Sequence, residues 1–304
     1  MLLAAGIALW IVVFVDVVAA VVAVNARGRL SATIAHGVWL VVCKQVLQRI
    51  VPRAAALAGP IVLSAVVVFW IVGTWANWVI IFRWGEPGVV NSQTGEPAGL
   101  VQTIAYAGSK LSTLGSGLAQ AGSPAWDAVS ILPAINGMVL LSLAASYALS
   151  LVGVVTRART LAVRISGNGD EGSGRPAEID LDKLESQCLR VTVDLSAYPL
   201  ASYFSTADPA AHIPTAILKL ARQLPDVRRS GLDTSAGSVW SGLETLTGHH
   251  IGAFDNRSDL KRAVARWYTD YSLYALPDWW DEAGSRTRLR TETSDESRAQ
   301  ENAA

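Results

Sequence analysis

The sequence predicts an all-α membrane protein: three transmembrane helices, a short re-entrant helix and loop before the third, and a helical cytoplasmic domain. Three observations predict it. The chain of 304 residues is 51% hydrophobic and only 16% charged, where an ordinary soluble domain is roughly a quarter charged. Positions 1–156 hold 11 Asp, Glu, Lys and Arg residues, and positions 157–304 hold 39. Three stretches of the first half reach the roughly 20 apolar residues a helix needs to cross a bilayer. These features exclude a single soluble globule, a disordered chain and a secreted disulfide scaffold. A formal net charge of zero gives no basic excess for nucleic acid. Cys43 and Cys188 belong to no CxxC or Cys/His spacing, so no metal site and no disulfide framework are expected.

The first span runs from Leu2 to Val24, interrupted only by Asp16. No Lys or Arg precedes it and the run is too long for a signal peptide, so it reads as a retained helix over 1–26. A bare charge in mid-membrane is expensive, so Asp16 is expected to be protonated or hydrogen-bonded to a neighbouring helix. The second span is Ala54 to Phe82 and the third Ala128 to Thr156. Between the first two, Ile34, Val38, Val41, Val42, Val46 and Ile50 recur at helical spacing, broken by Lys44, Gln45, Gln48 and Arg49. That pattern suits an amphipathic helix in the inner interface, within 27–53 and ended by Pro52. Arg27, Arg29, Lys44, Arg49 and Arg53 flank the first two spans, and Arg157, Arg159 and Arg164 follow the third. The loop between spans two and three has only Arg83 and Lys110. The positive-inside rule therefore puts the N-terminus outside and the C-terminus in the cytoplasm.

The loop before the third span is the most informative segment. Residues 83–97, rich in turn formers, read as an exposed turret. Ala98 to Ser112 has helical character, but at about 22 Å it is too short to span. Next comes Ser112-Thr113-Leu114-Gly115-Ser116-Gly117. Irregular backbone at membrane depth is tolerated only where protein buries it or where it lines a water-filled cavity. Gly115 and Gly117 permit backbone angles that turn successive carbonyls the same way. A ring of such carbonyls replaces the hydration shell of a monovalent cation.

Residues 54–156, with this order of helix, short helix, Thr-x-Gly-x-Gly and helix, resemble the pore module of potassium channels. They are most similar to bacterial proteins of the two-pore-domain potassium channel family with one module per chain. The resemblance implies a homotetramer whose transported ion is potassium or another monovalent cation, with no other cofactor. It implies that Thr113, Leu114, Gly115, Ser116 and Gly117 form the selectivity filter and that Gly137 is a gating hinge. The family filter continues Thr-x-Gly-aromatic-Gly-Asp; here Ser116 replaces the aromatic and Leu118 the acid. Lys110 is a further departure: it would oppose cation entry unless paired, with Glu96 or Asp127, or snorkelled outward.

The second half begins with a linker, 157–177, that includes the Gly/Ser-rich run 166–174. A helical cytoplasmic domain follows over 178–283, with helices at 178–205, 212–224, 237–250 and 257–276. Leu181, Leu184, Leu189 and Val193 supply the first helix's apolar stripe. Tyr198, Pro199, Tyr203 and Phe204 read as core or inter-subunit packing, and 284–304 as a disordered tail. His249 and His250 lack a third metal ligand at a useful spacing. Asp278, Asp281 and Glu282 around Trp279 and Trp280 read as a solvated helix end. Arg222, Arg228 and Arg229 read as a solvated face. With no P-loop, GxGxxG or nucleophile elbow, no enzyme activity is expected. The expectation is thus a tetrameric pore-loop channel subunit with a degenerate filter, multi-pass in a bacterial inner membrane, with cations and lipids as partners. The alternative is a non-conducting membrane anchor or sensor acting through the helical domain.

Overall fold

The computed structural model describes residues 2–22, 29–41, 57–84, 87–115, 117–167, 181–204, 206, 208–224, 234–247, 257–272, 276–277 and 280. They form two compact units, Met1–Thr156 with Ser196–Phe204, and Arg157–Leu195 with Ser205–Ala304.

In the first unit the elements run α1 (Leu2–Val22), α2 (Arg29–Val38), α3 (Ala58–Trp84), β1 (Val89–Asn91), α4 (Leu100–Leu111), β2 (Ala119–Ala121), α5 (Pro124–Val129) and α6 (Ile131–Gly167). Among the described residues, two helical stretches are long and apolar enough to cross a membrane, Ala58–Trp84 and Pro124–Gly167. α1 packs antiparallel on α3: Gly6 faces Ile80 and Ile81, and Val13 faces Gly73. The buried residues of α3 include Val62, Val66, Trp70, Thr74, Asn77, Trp78 and Ile81. They recur every three or four positions, which confines burial to one face of the helix. The opposite face is equally apolar: Val68, Ile71 and Val72 are exposed.

Three expectations change. The turret is not loop alone, because β1 and β2 form a two-stranded antiparallel ribbon with Val90 opposite Gln120. The molecule is therefore mostly, not wholly, helical. Gly88, Val89 and Val90 are buried, and the tip at 92–97 is exposed. Second, α6 runs unbroken to Gly167, so residues 157–167 are helix and not linker. Third, Ser196–Phe204 belongs with the first unit rather than with a 178–283 domain. There Tyr203 packs on Trp39 (ring centroids 5.2 Å) and Tyr198 on Tyr147 (5.9 Å). Residues 42–56, which hold Cys43 and the Lys44, Gln45, Gln48 and Arg49 interruptions, lie outside the described residues.

The second unit is built from α7 (Leu181–Ala197), α8 (Ile213–Gln223), α9 (Thr234–Thr247) and α10 (Arg257–Tyr271). The buried face of α7 carries Leu184, Cys188, Val191 and Leu195, whereas Leu189 and Val193 are exposed. The expected stripe thus drifts off the helical period after Leu184. Leu220, Trp240, Leu243, Leu260 and Val264 complete the core. Arg157 Nε donates to Asp194 Oδ2 at 2.8 Å.

Candidate functional site

The short helix α4 has 12 residues and a length of about 18 Å. Gln102 Oε1 accepts from the Gly99 N–H at 3.1 Å and so satisfies a donor just before its first turn. Two side chains of α3 bind its backbone and that of its approach. Trp75 Nε1 donates to the Ile104 carbonyl and Arg83 Nη1 to the Ala98 carbonyl, each at 3.0 Å. Phe82 lies between Tyr106 and Trp126, at centroid distances of 5.2 and 6.0 Å. These aromatic contacts fix α4 against the wall of α3.

The C-terminal end of α4 is a Schellman cap. Thr113 N–H donates to the Lys110 carbonyl at 3.2 Å, and Leu114 N–H to the Ser109 carbonyl at 2.9 Å. Ser112 Oγ adds a bond to the Gly108 carbonyl at 2.8 Å. The left-handed position of such a cap usually holds glycine, but here it is Thr113, at φ 60°. A β-branched residue there is strained, and such strain clusters at functional positions. Gly115 is also left-handed, at φ 77°, and Leu114 between them is not. Leu114 and Leu118 are strongly exposed at the loop tip.

Partners outside the motif were not legible in the sequence. Ser92 Oγ donates to the Gly117 carbonyl at 3.0 Å, and Ser92 N–H to the Leu118 carbonyl at 3.2 Å. Ser92 lies 25 residues away, and no local pattern marks it. Lys110 Nζ lies 5.3 Å above the Tyr106 ring, a cation–π contact, rather than pairing with Glu96 or Asp127. A Cβ at Gly137 would sit 1.9 Å from the Leu111 carbonyl oxygen. α6 passes through Gly137 without a break, so the missing side chain lets its backbone touch the end of α4. Ser116 lies outside the described residues, as do His249, His250, Asp278, Trp279, Asp281, Glu282, Arg228 and Arg229.

Asp16 is fully engaged. Its carboxylate accepts from Leu30 N–H (3.0 Å), Ser31 N–H (3.1 Å) and Ser31 Oγ (2.5 Å). Leu30 and Ser31 stand in the first turn of α2, where N–H groups have no partner inside the helix and the dipole favours an anion. Ser31 Oγ in turn accepts from Trp70 Nε1 at 2.8 Å. One carboxylate therefore links α1, α2 and, through Ser31, α3. In the second unit, burial pushes the Cys188 thiol up to about 12 and lowers His212 to about 4. Both groups are held neutral near pH 7.

No family model matches the chain, and no solved structure matches it. It is similar to an uncharacterized membrane protein, YdjJ, of Bacillus subtilis (strain 168), at 24% identity over 164 residues. The match covers 50% of this chain and 48% of YdjJ, so the chain spans about half the length of the curated relative it matches. With its two apolar helices, this likeness identifies the chain as a mostly helical membrane protein.

Proposed function

We propose that the chain is one subunit of a homotetrameric pore-loop channel for monovalent cations, potassium among them, with a degenerate filter. The observation that carries this reading is the arrangement of α4. A helix too short to cross a bilayer is held by α3 and touched by α6, and it ends on an exposed loop with two left-handed residues. Thr113, Leu114 and Gly115 supply the cation-facing carbonyls, with Ser116 and Gly117 continuing the path. Four chains are needed to close the ring, because each contributes one loop. α1 serves as a third span, with the N-terminus outside, the second unit cytoplasmic and the bacterial inner membrane as host. Gly137 is both the contact to α4 and the hinge of α6.

Selectivity in this reading is weak. Ser116 and Leu118 remove two supports of the standard filter, and the Gly117 carbonyl already accepts a hydrogen bond from Ser92. A cavity with fewer supports holds its size less strictly. That same bond favours the second reading, a non-conducting membrane anchor or sensor, because a carbonyl bound to Ser92 is less free for an ion.

Flux from purified protein in liposomes decides between them. The expected result is a small monovalent-cation flux that Gly115→Asp abolishes, with reversal potentials between those for potassium and sodium. Ser116→Tyr with Leu118→Asp should raise the potassium preference. Absence of flux from both the wild type and that double variant, or flux unchanged in Gly115→Asp, overturns the channel reading.

A further inference from the structure

The first unit contains a second group of polar side chains, distinct from the Thr113–Gly117 motif and made only of neutral groups. A small cavity between α1, α3 and α6 is lined by Trp10, Phe14 and Val17 of α1, Thr74 of α3, and Asn136, Val139, Leu140 and Leu143 of α6. Its volume is about 10 Å3, by the measure in which one water needs about 10–15 Å3. Thr74 and Asn136 are 5% and 9% exposed. The Trp10 indole Nε1 is enclosed without a hydrogen-bond partner.

The α1–α3 register places Asn77 in the same layer. Gly6 faces Ile81 and Val13 faces Gly73, so an antiparallel pairing brings position 10 opposite position 77. Asn77 is fully buried, and neither its Oδ1 nor its Nδ2 has a partner. Leaving a buried polar group unsatisfied forfeits its hydration with nothing in return, and a lipid setting offers no solvent to relieve it. Buried water is the usual solution where a site is polar, roomy enough for one molecule and offers two to four partners.

The geometry points to a buried water site at this three-helix junction, held by Trp10 Nε1, Thr74 Oγ1 and the Asn136 amide, with Asn77 as the adjoining polar group. The donor set selects water over a cation. The indole N–H is donor only and faces a cation with the wrong sign, and no carboxylate lines the cavity. Thr74 and Asn136 offer both donors and acceptors, as a water's two protons and two lone pairs require. The water joins α1 to α3 and α6 by hydrogen bonds that the side chains do not make directly. This inference does not depend on whether the loop conducts.

The test uses the full chain in lipid nanodiscs with 15N-labelled tryptophan. Trp10→Phe assigns the Trp10 indole signal. In the wild type that signal should show a cross-relaxation peak to a long-lived water, although Trp10 faces the unit's interior. Thr74→Val with Asn136→Leu removes the other polar walls at similar volume and should abolish the peak while the Trp10 signal persists at a shifted position. An assigned wild-type signal with no water peak overturns the proposal, and so does a peak that survives the double variant unchanged. Should the double variant fail to fold, the wild-type spectrum alone decides.

Discussion

The two units use the same apolar residues in opposite ways. In the second, Trp240, Leu243, Leu220 and Val264 are fully buried at the centre of four amphipathic helices. In the first, Leu141, Leu149 and Val152 of α6 stand 71%, 75% and 57% exposed, while Asp16, Thr74, Asn77 and Asn136 are buried. The inversion follows from the solvent. Against lipid tails an exposed leucine loses nothing, and a polar group gains only by finding a partner inside. Cohesion in the first unit therefore draws on close backbone approach and on polar groups that find a partner, as Asp16 does, and in the second on removing apolar area from water.

That contrast can be broken or sharpened by substitution. The largest effect is expected at Gly137, where any side chain collides with the Leu111 carbonyl. Gly137→Leu should separate α6 from α4 and prevent a folded first unit, read as loss of monodisperse protein on size exclusion. Recovery in normal yield and with a normal melting profile would show that the contact is dispensable. Trp240→Ala should cost the second unit about 3–5 kcal/mol, the range for emptying a large aromatic site in a core. A melt tracked by hydrogen exchange in α9 checks it.

At Asp16, Asp16→Ala strands two N–H groups and a hydroxyl at once. A loss of about 3 kcal/mol is expected, appearing as fast exchange at Leu30 and Ser31. Asp16→Asn, which keeps an acceptor, should lose less. An unchanged exchange pattern in the alanine variant would mean that α2 is held by other contacts.

His212 gives the second unit a pH dependence of known sign. Its folded value of about 4 lies below the ordinary 6.5 because burial disfavours the charged form. The unfolded chain therefore binds the extra proton first, and stability falls as pH drops from about 6.5 towards 4. At about 1.4 kcal/mol per unit, the full loss is of the order of 3 kcal/mol. Melts at pH 7 and pH 5 should differ in wild type and converge in His212→Gln. The smallest effect belongs to Leu149→Ala, expected within about 0.5 kcal/mol in nanodiscs because that side chain is exposed and its loss opens no cavity in the core.

The helical character and the location of the apolar runs were legible because both are local. A run of 20 apolar residues, or a repeat near 3.6, is complete within its own segment. The ends of α8, α9 and α10 lie within a few residues of the expected ranges for this reason. On α7 residue type misleads: Leu189 and Val193 look like core, while the helical period puts Cys188, Val191 and Thr192 inside. The ribbon leaves no local signal, because its strands are three residues each, too short to show alternation.

The candidate site divides along the same line. By itself the sequence determined that a short helix and a Thr-Leu-Gly-Ser-Gly loop stand between two long apolar helices, since order and length are properties of the chain. Only the tertiary structure decided what each polar or small residue meets. Asp16 meets Ser31, Ser92 meets Gly117 and Gly137 meets Leu111, across separations of 15, 25 and 26 positions. A hydrogen bond or a backbone contact forms only between groups brought within a few ångströms. That proximity is set by how α1, α3 and α6 pack, which no local pattern in the sequence records.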